Sequence, residues 1–150
     1  DAVRAVALDL SPLIAGKDID FAIETAPAPV RAHEWMLQEL TRNLLHNAIK
    51  HTPAGAGLSV RVVSDTRTTA LTVSDSGAGI AAELAPRLFQ PFSAGDLRQG
   101  SGLGLAICHE IAEVLGGSIT LDNRVDHGRI SGLDATVRLP LARPLGHNHG

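Results

Sequence analysis

The chain has 150 residues, long enough for one domain with a sizeable core, and its 44% apolar and 19% charged residues are ordinary for a globular protein. Thirteen Lys and Arg against sixteen Asp and Glu give a formal charge of −3, without the basic excess that a nucleic-acid surface needs. No apolar run approaches the ~20 residues of a membrane span, no signal-type stretch opens the chain, and a lone Cys108 excludes an internal disulfide framework.

In chain order, residues 1–10 alternate loosely, with Val6, Leu8 and Leu10 on one face of an expected strand. Ile19, Phe21 and Ile23 alternate with Asp18, Asp20, Ala22 and Glu24, a half-buried strand that Pro27 and Pro29 end. The period becomes helical over residues 33–51, where Leu37, Leu40, Leu44 and Ala48 form one stripe and Pro53, Gly55 and Gly57 stop the run. Leu58, Val60 and Val62, then Ala70 or Leu71 and Val73, predict two strands joined by a polar turn at 65–68. A glycine turn at 77–79 and a short helix near 81–88 follow, then a polar loop over 93–99. Leu103, Ile107, Ile111 and Val114 mark a second long helix, stopped by Gly116 and Gly117, and it holds Cys108 as a buried structural thiol. Ile119 and Leu121, then Ala135, Val137 and Leu139, give two closing strands before a Pro/Gly/His-rich tail. Alternating strands with helices between them predict an α/β (α+β) two-layer sandwich: a mixed sheet covered on one face by about three helices.

Three constellations carry chemistry. Asn43, Asn47 and Lys50 fall at i, i+4 and i+7 on one helix face, off the leucine stripe. Neutral carboxamide oxygens suit Mg²⁺ already held by phosphates, and Lys50 can meet a phosphate charge. By spacing alone, these residues fit a solvated helix face equally well. Asp75 ends an apolar strand ahead of Gly77 and Gly79. Its carboxylate can accept the exocyclic amino group of adenine while the glycines allow close backbone approach, although an Asp-Ser-Gly turn explains the same residues. Gly100, Gly102 and Gly104 lead into the second long helix, whose free N–H groups and dipole favour an anion; a flexible turn is the plainer alternative.

Two look-alikes fail. Gly16-Lys17 resembles the end of a P-loop, yet Ser11 and Asp18 stand where Gly and Ser/Thr are required. Gly102, Gly104 and Asp122 hint at a dinucleotide fingerprint, but the preceding 93–99 segment is polar and no strand. The seven histidines form no metal box, since His46 and His51 are five apart and His147 and His149 lie in the tail.

Taken together with Leu88-Phe89-Gln90-Pro91-Phe92, these motifs resemble, in order and spacing, the catalytic and ATP-binding domain of bacterial sensor histidine kinases. That superfamily also includes DNA gyrase, Hsp90 and MutL. The resemblance runs from about Leu10 to Leu141: residues 43–50 correspond to the N box, 75–79 to G1, 88–92 to the F box and 100–104 to G2. Residues 132–140 resemble the closing strand, without the usual aromatic after the Ser/Thr position. The resemblance implies a Bergerat-type site under a mobile lid, binding ATP and Mg²⁺. Asn47 would coordinate Mg²⁺ with help from Asn43, Lys50 would touch phosphate, His51 would stack near the base and Asp75 would read adenine. Gly77, Gly79, Ile80, Phe89, Gly100, Ser101, Gly102, Leu103, Gly104, Leu105 and Thr136 would line the nucleotide, and Arg98 in the 93–99 lid would meet the γ-phosphate. This lid is short and holds a single Arg.

Relatives that use water or a serine as acceptor resemble one another in a Glu one turn before Asn47; here that position is Asn43, an amide that takes no proton at neutral pH. A neutral imidazole needs no such base, which favours a histidine acceptor over an anti-sigma-type serine kinase. A non-catalytic ATP-binding interaction module is the other alternative. The acceptor itself is absent, since His33-Glu34-Trp35-Met36 does not match the hairpin motif. The expectation is a catalytic fragment: residues 1–10 near the join to a dimerisation/phosphoacceptor domain, 11–141 the ATP-binding unit and 142–150 a loose tail. Its partners would be that domain and, indirectly, a response regulator, with no nucleic acid and no membrane contact. The fragment would be monomeric and cytoplasmic, within a parent anchored in the bacterial inner membrane.

Overall fold

The computed structural model describes residues 2–26, 30, 32–77 and 104–142. Its elements are α1 (Ala2–Asp9), α2 (Ser11–Gly16), β1 (Asp20–Glu24), α3 (Glu34–His51), β2 (Gly57–Ser64), β3 (Thr68–Asp75), α4 (Gly104–Val114), β4 (Ser118–Asp126) and β5 (Arg129–Pro140). The expected short helix near 81–88, the lid and the tail beyond Ala142 lie outside the described residues.

The first ten residues correct the strand expectation: they form α1. Val3, Val6, Ala7 and Leu10 are all buried, at i, i+3, i+4 and i+7, while Leu8 is 74% exposed. The helical stripe prevails over the looser alternation because it seats α1 on α3. Asp9 and Arg42 add an exposed ion pair at 2.9 Å, too solvated to contribute much.

The five strands form one mixed sheet in the order β1-β2-β3-β5-β4. β1 pairs parallel with β2, the two being linked through α3, and every other pairing is antiparallel. Alternation sends Leu58, Val60, Leu71, Val73, Ala135, Val137 and Ile119 inward, against α3 and α4. The opposite face carries Ser59, Arg61, Thr72, Ser74, Asp134 and Thr136 and stays polar. One face is therefore covered by helices, as the alternation predicts. Leu40, Leu44 and Leu45 of α3 are at most 2% exposed, each contributing ~1.5–3 kcal/mol by burial. Cys108 also faces this core, and burial pushes its thiol up to about 12, an inert structural sulfur.

Turn chemistry fixes the hairpins. The Asp65 carboxylate accepts the N–H groups of Arg67 (2.8 Å) and Thr68 (2.7 Å), which closes β2 onto β3 and holds its pKa below the usual value. At the β4–β5 turn His127 (φ 53°) and Gly128 (φ 78°) both adopt left-handed backbone, the signature of a two-residue primed turn. These two strands reach further than the expected pieces around Ile119 and Ala135. The extra length runs beyond the end of β3 and carries Arg124.

Candidate nucleotide site

The last turns of α3 supply the first wall. Asn43 and Asn47 are half-buried, and Lys50 and His51 are exposed. Asn43 donates from Nδ2 to the Glu39 carbonyl one turn back (2.7 Å), so its Oδ1 is left to accept from, or ligate, something else. The helix end is capped twice. Thr52, fully buried, donates its N–H and its hydroxyl to the Ala48 carbonyl (2.9 and 2.7 Å). Lys17 reaches from the α2–β1 loop and donates from Nζ to the carbonyls of Ile49 (2.8 Å) and Lys50 (3.4 Å). A cation there meets the negative end of the helix dipole and adds a donor to its terminal carbonyls.

Asp75 supplies the second wall. It is the last residue of β3, pairs with Leu58 and Leu133 and points to the helix-covered face, where it is 3% exposed. Burial pushes its carboxyl above the ordinary value; the Gly77 N–H, the His51 and Arg124 charges and the Leu133 backbone pull the other way. Gly77 donates its N–H to Asp75 Oδ1 at 2.8 Å. A Cβ on Gly77 would overlap the carbonyl oxygen of His51, so Gly77 lies directly on the end of α3. The two walls thus meet: the Asp75 carboxylate, Gly77 and the end of α3 share one corner of the molecule.

On the other face of the sheet, Arg124 fastens this corner. Its Nη2 donates to the Asp75 main-chain carbonyl (2.7 Å) and its Nη1 to the Leu133 carbonyl (3.4 Å), and Nη1 also pairs with Asp134 Oδ1. Gly132 makes room for this, because a Cβ there would overlap both the Asp75 carbonyl and the guanidinium.

The structure therefore gathers Asp75, Gly77 and His51, and places Asn43, Asn47 and Lys50 on the adjoining helix. Gly104 opens α4 as the glycine-rich lead-in predicts, and half-buried Leu105 anchors that helix to the core. Gly79, Ile80, Phe89, Arg98, Gly100, Ser101, Gly102 and Leu103 lie outside the described residues. Thr136 is a correction. It sits on the polar face, 3.3 Å from Thr72, while Leu133 is the β5 residue that faces Asp75. Strand alternation makes an odd-numbered offset decisive: a residue three positions along points away from the carboxylate. Two positioning residues escaped the sequence reading. Lys17 belonged to a rejected look-alike, and Arg124 lay beyond the strand expected from Ile119 and Leu121. Among the described residues no group of three or more His, Cys, Asp or Glu gathers to hold a metal. A carboxamide pair toward a phosphate-bound Mg²⁺ remains chemically apt, because Asn43 keeps a free oxygen on the same face as Asn47.

A family model described as histidine kinase-, DNA gyrase B- and HSP90-like ATPase matches residues 32–143. The sensor histidine kinase RcsC of Escherichia coli (strain K12) is 33% identical over 149 residues, which is 94% of this chain and 15% of that protein. The chain thus spans about a seventh of that relative's length. A nucleotide-free catalytic domain of histidine kinase ThkA superposes with TM-score 0.84 at 29% identity, covering 93% of this chain and 90% of that one. Full-length ShkA in complex with AMPPNP superposes with TM-score 0.80 at 29% identity, covering 95% of this chain and 30% of that one.

Proposed function

The chain belongs to the family of histidine kinase-, DNA gyrase B- and HSP90-like ATPases, and on that premise we propose that it is the ATP·Mg²⁺-binding catalytic domain of a sensor histidine kinase. The observation that carries this reading is Asp75: a carboxylate 3% exposed, with one oxygen fixed by Gly77, beside the end of a helix bearing Asn43, Asn47 and Lys50. A buried acceptor held this way is suited to the amino group of a flat base, and it rejects a base that presents a carbonyl there. His51, at the lip of the same corner, offers its ring to the base.

Asn47, with Asn43, would hold Mg²⁺ through carboxamide oxygens, the ion supplying neutralisation of the triphosphate. Lys50 meets phosphate from the next turn of α3, and Arg98 joins from the lid segment. The chemistry is transfer of the γ-phosphoryl group to a neutral imidazole nitrogen: an N–P bond forms, the bond from phosphorus to the bridging oxygen breaks, and ADP leaves with that electron pair. Such a transfer asks the protein for alignment and charge compensation rather than a base. Asn43 agrees with this, since its amide is committed to the Glu39 carbonyl and takes no proton.

The accepting histidine would sit on a separate dimerisation domain joined near residues 1–10, and α1, seated on α3, would belong with residues 11–141 to the ATP-binding unit. A response regulator would take the phosphoryl group onward. The parent would be anchored in the bacterial inner membrane with this domain in the cytoplasm; among the described residues no helix is long and apolar enough to cross a membrane. The test is calorimetric titration with a non-hydrolysable ATP analogue, with and without Mg²⁺, beside Asp75→Asn. Saturable binding that the variant loses is expected. Unchanged affinity in Asp75→Asn would refute the site.

A further inference from the structure

We propose that Arg124 is a positioning residue for nucleotide choice: by clamping the Asp75 main chain to Asp134 across the back of the sheet, it sets the adenine-reading carboxylate. The inference rests on Asp75 being that acceptor.

Asp75 is held from two sides. On the helix-covered face, Gly77 fixes Oδ1 at 2.8 Å. On the polar face, the Arg124 guanidinium takes the Asp75 carbonyl at 2.7 Å, close to ideal for a charge-assisted bond. Asp75 is the last paired residue of β3, between Leu58 of β2 and Leu133 of β5, and no strand pairing continues past it on β3 to fix its peptide plane. Here the chain leaves β3 directly after Asp75, so the peptide plane that aims the carboxylate depends on that added donor. The guanidinium is itself oriented by Asp134, a partner on the same face of β5. Gly132 completes the fit: any side chain at 132 would displace the guanidinium from the carbonyl. Three residues of one hairpin, none touching the base, thus converge on the residue that reads it. The planar fork is needed for this, because Nη1 and Nη2 serve different partners at once, which a lysine ammonium on its flexible stem does not reproduce.

A carboxylate held in one place accepts the 6-amino group of adenine and repels the 6-oxo group of hypoxanthine. Loosened, it loses part of the first interaction and part of the second. Arg124 therefore controls a ratio as well as an affinity, and a ratio is what a general weakening of the fold leaves alone.

The experiment is titration of the chain with ATP and with inosine triphosphate, for the unaltered protein, Arg124→Ala, Arg124→Lys and Asp134→Asn, with thermal melts of each. The unaltered protein is expected to prefer ATP strongly. In Arg124→Ala the ATP affinity should fall about tenfold, the size of one lost charge-assisted bond, and the preference for ATP should shrink by a similar factor. Arg124→Lys should recover only part of the preference. Asp134→Asn, which keeps the arginine and the fold, should reduce the preference less than Arg124→Ala, and it stands in should that variant fail to fold. Equal weakening of both nucleotides with the preference intact, or no change at all, would overturn the positioning role while leaving the nucleotide site standing. Failure of the unaltered protein to bind either nucleotide would instead overturn the underlying assignment of Asp75.

Discussion

Replacing Lys17 by Met tests whether the end of the nucleotide helix is held from outside. The ammonium is half-buried and donates to the carbonyls of Ile49 at 2.8 Å and Lys50 at 3.4 Å. A cation at a helix C-terminus contributes ~0.3–1 kcal/mol through the dipole, and a hydrogen bond from a charged donor ~1.5–3 kcal/mol net. Solvent reaches the ammonium and the second bond is long, so about 1–2 kcal/mol is the expected loss for the site. For a domain of this size that lowers Tm by roughly 3–6 °C. Met keeps the length and apolar stem of the side chain, so the loss isolates the charge; Lys17→Arg should recover most of it. The assay is thermal denaturation without nucleotide, repeated at high salt, where the gap should narrow only in part because the group is half-buried. The alternative, that Lys17 grips phosphate as a P-loop lysine does, forecasts the reverse: an unchanged Tm without ligand and weaker binding of tripolyphosphate. That result would refute the capping argument.

Asp75→Asn should separate function from stability: it removes nucleotide binding yet raises Tm at neutral pH. Burial lifts the folded-state pKa above its ordinary 3.8, so the folded protein resists ionising this group. Its penalty is absent below the unfolded-state pKa, grows as pH rises through the window up to the raised value and is full above it. The Tm advantage of the Asn variant should therefore vanish on acidification past that window, and an Asn variant that melts lower at neutral pH would contradict the sign. Gly77→Ala drives a methyl group into the His51 carbonyl and should cost ~1–3 kcal/mol in chemical denaturation as well as weakening ATP binding; a neutral outcome would mean that the turn does not press on α3. Incubated with radiolabelled ATP, the chain alone should take up little phosphate, and a matched acceptor hairpin supplied separately should become labelled at histidine. Strong labelling of the chain itself would remove the need for a separate acceptor.

Sequence periodicity exposed the parts of this molecule in which one residue type repeats on one face. The leucine stripe of α3 and the inward residues of β2, β3 and β5 are such places, and each lies where the pattern sets it. The N-terminal segment misled because Val6, Leu8 and Leu10 alternate while Val3, Val6, Ala7 and Leu10 also form a helical stripe. Ten residues hold both patterns, and only the presence of α3 as a packing surface selects between them. Thr136 failed for a related reason. The motif fixed its neighbourhood, but which face of β5 it occupies depends on register with β3, and register is a property of the assembled sheet. Lys17 and Arg124 were illegible in a stronger sense, since each acts on main-chain atoms far along the chain, and a backbone carbonyl leaves no mark in a sequence.

The residues proposed to meet the ligand are short-range neighbours grouped in motifs, and motifs are what a sequence comparison finds. The residues that aim them come from elements that share no motif: the α2–β1 loop through Lys17 and the β4–β5 hairpin through Arg124. Both are cations, and both act on the carbonyls of a terminus, one at the end of a helix and one at the end of a strand. Termini are where backbone acceptors run out of partners, and they are also where a ligand can be reached, because the interior of a helix or sheet has no free groups to offer. A site assembled from element ends therefore needs donors brought in from elsewhere, and an Arg or Lys on a neighbouring hairpin or loop supplies them without occupying the pocket. On the proposed reading the buried carboxylate of Asp75 and the guanidinium of Arg124 are two halves of one device on opposite faces of the sheet: one would face the nucleotide and the other would keep it there.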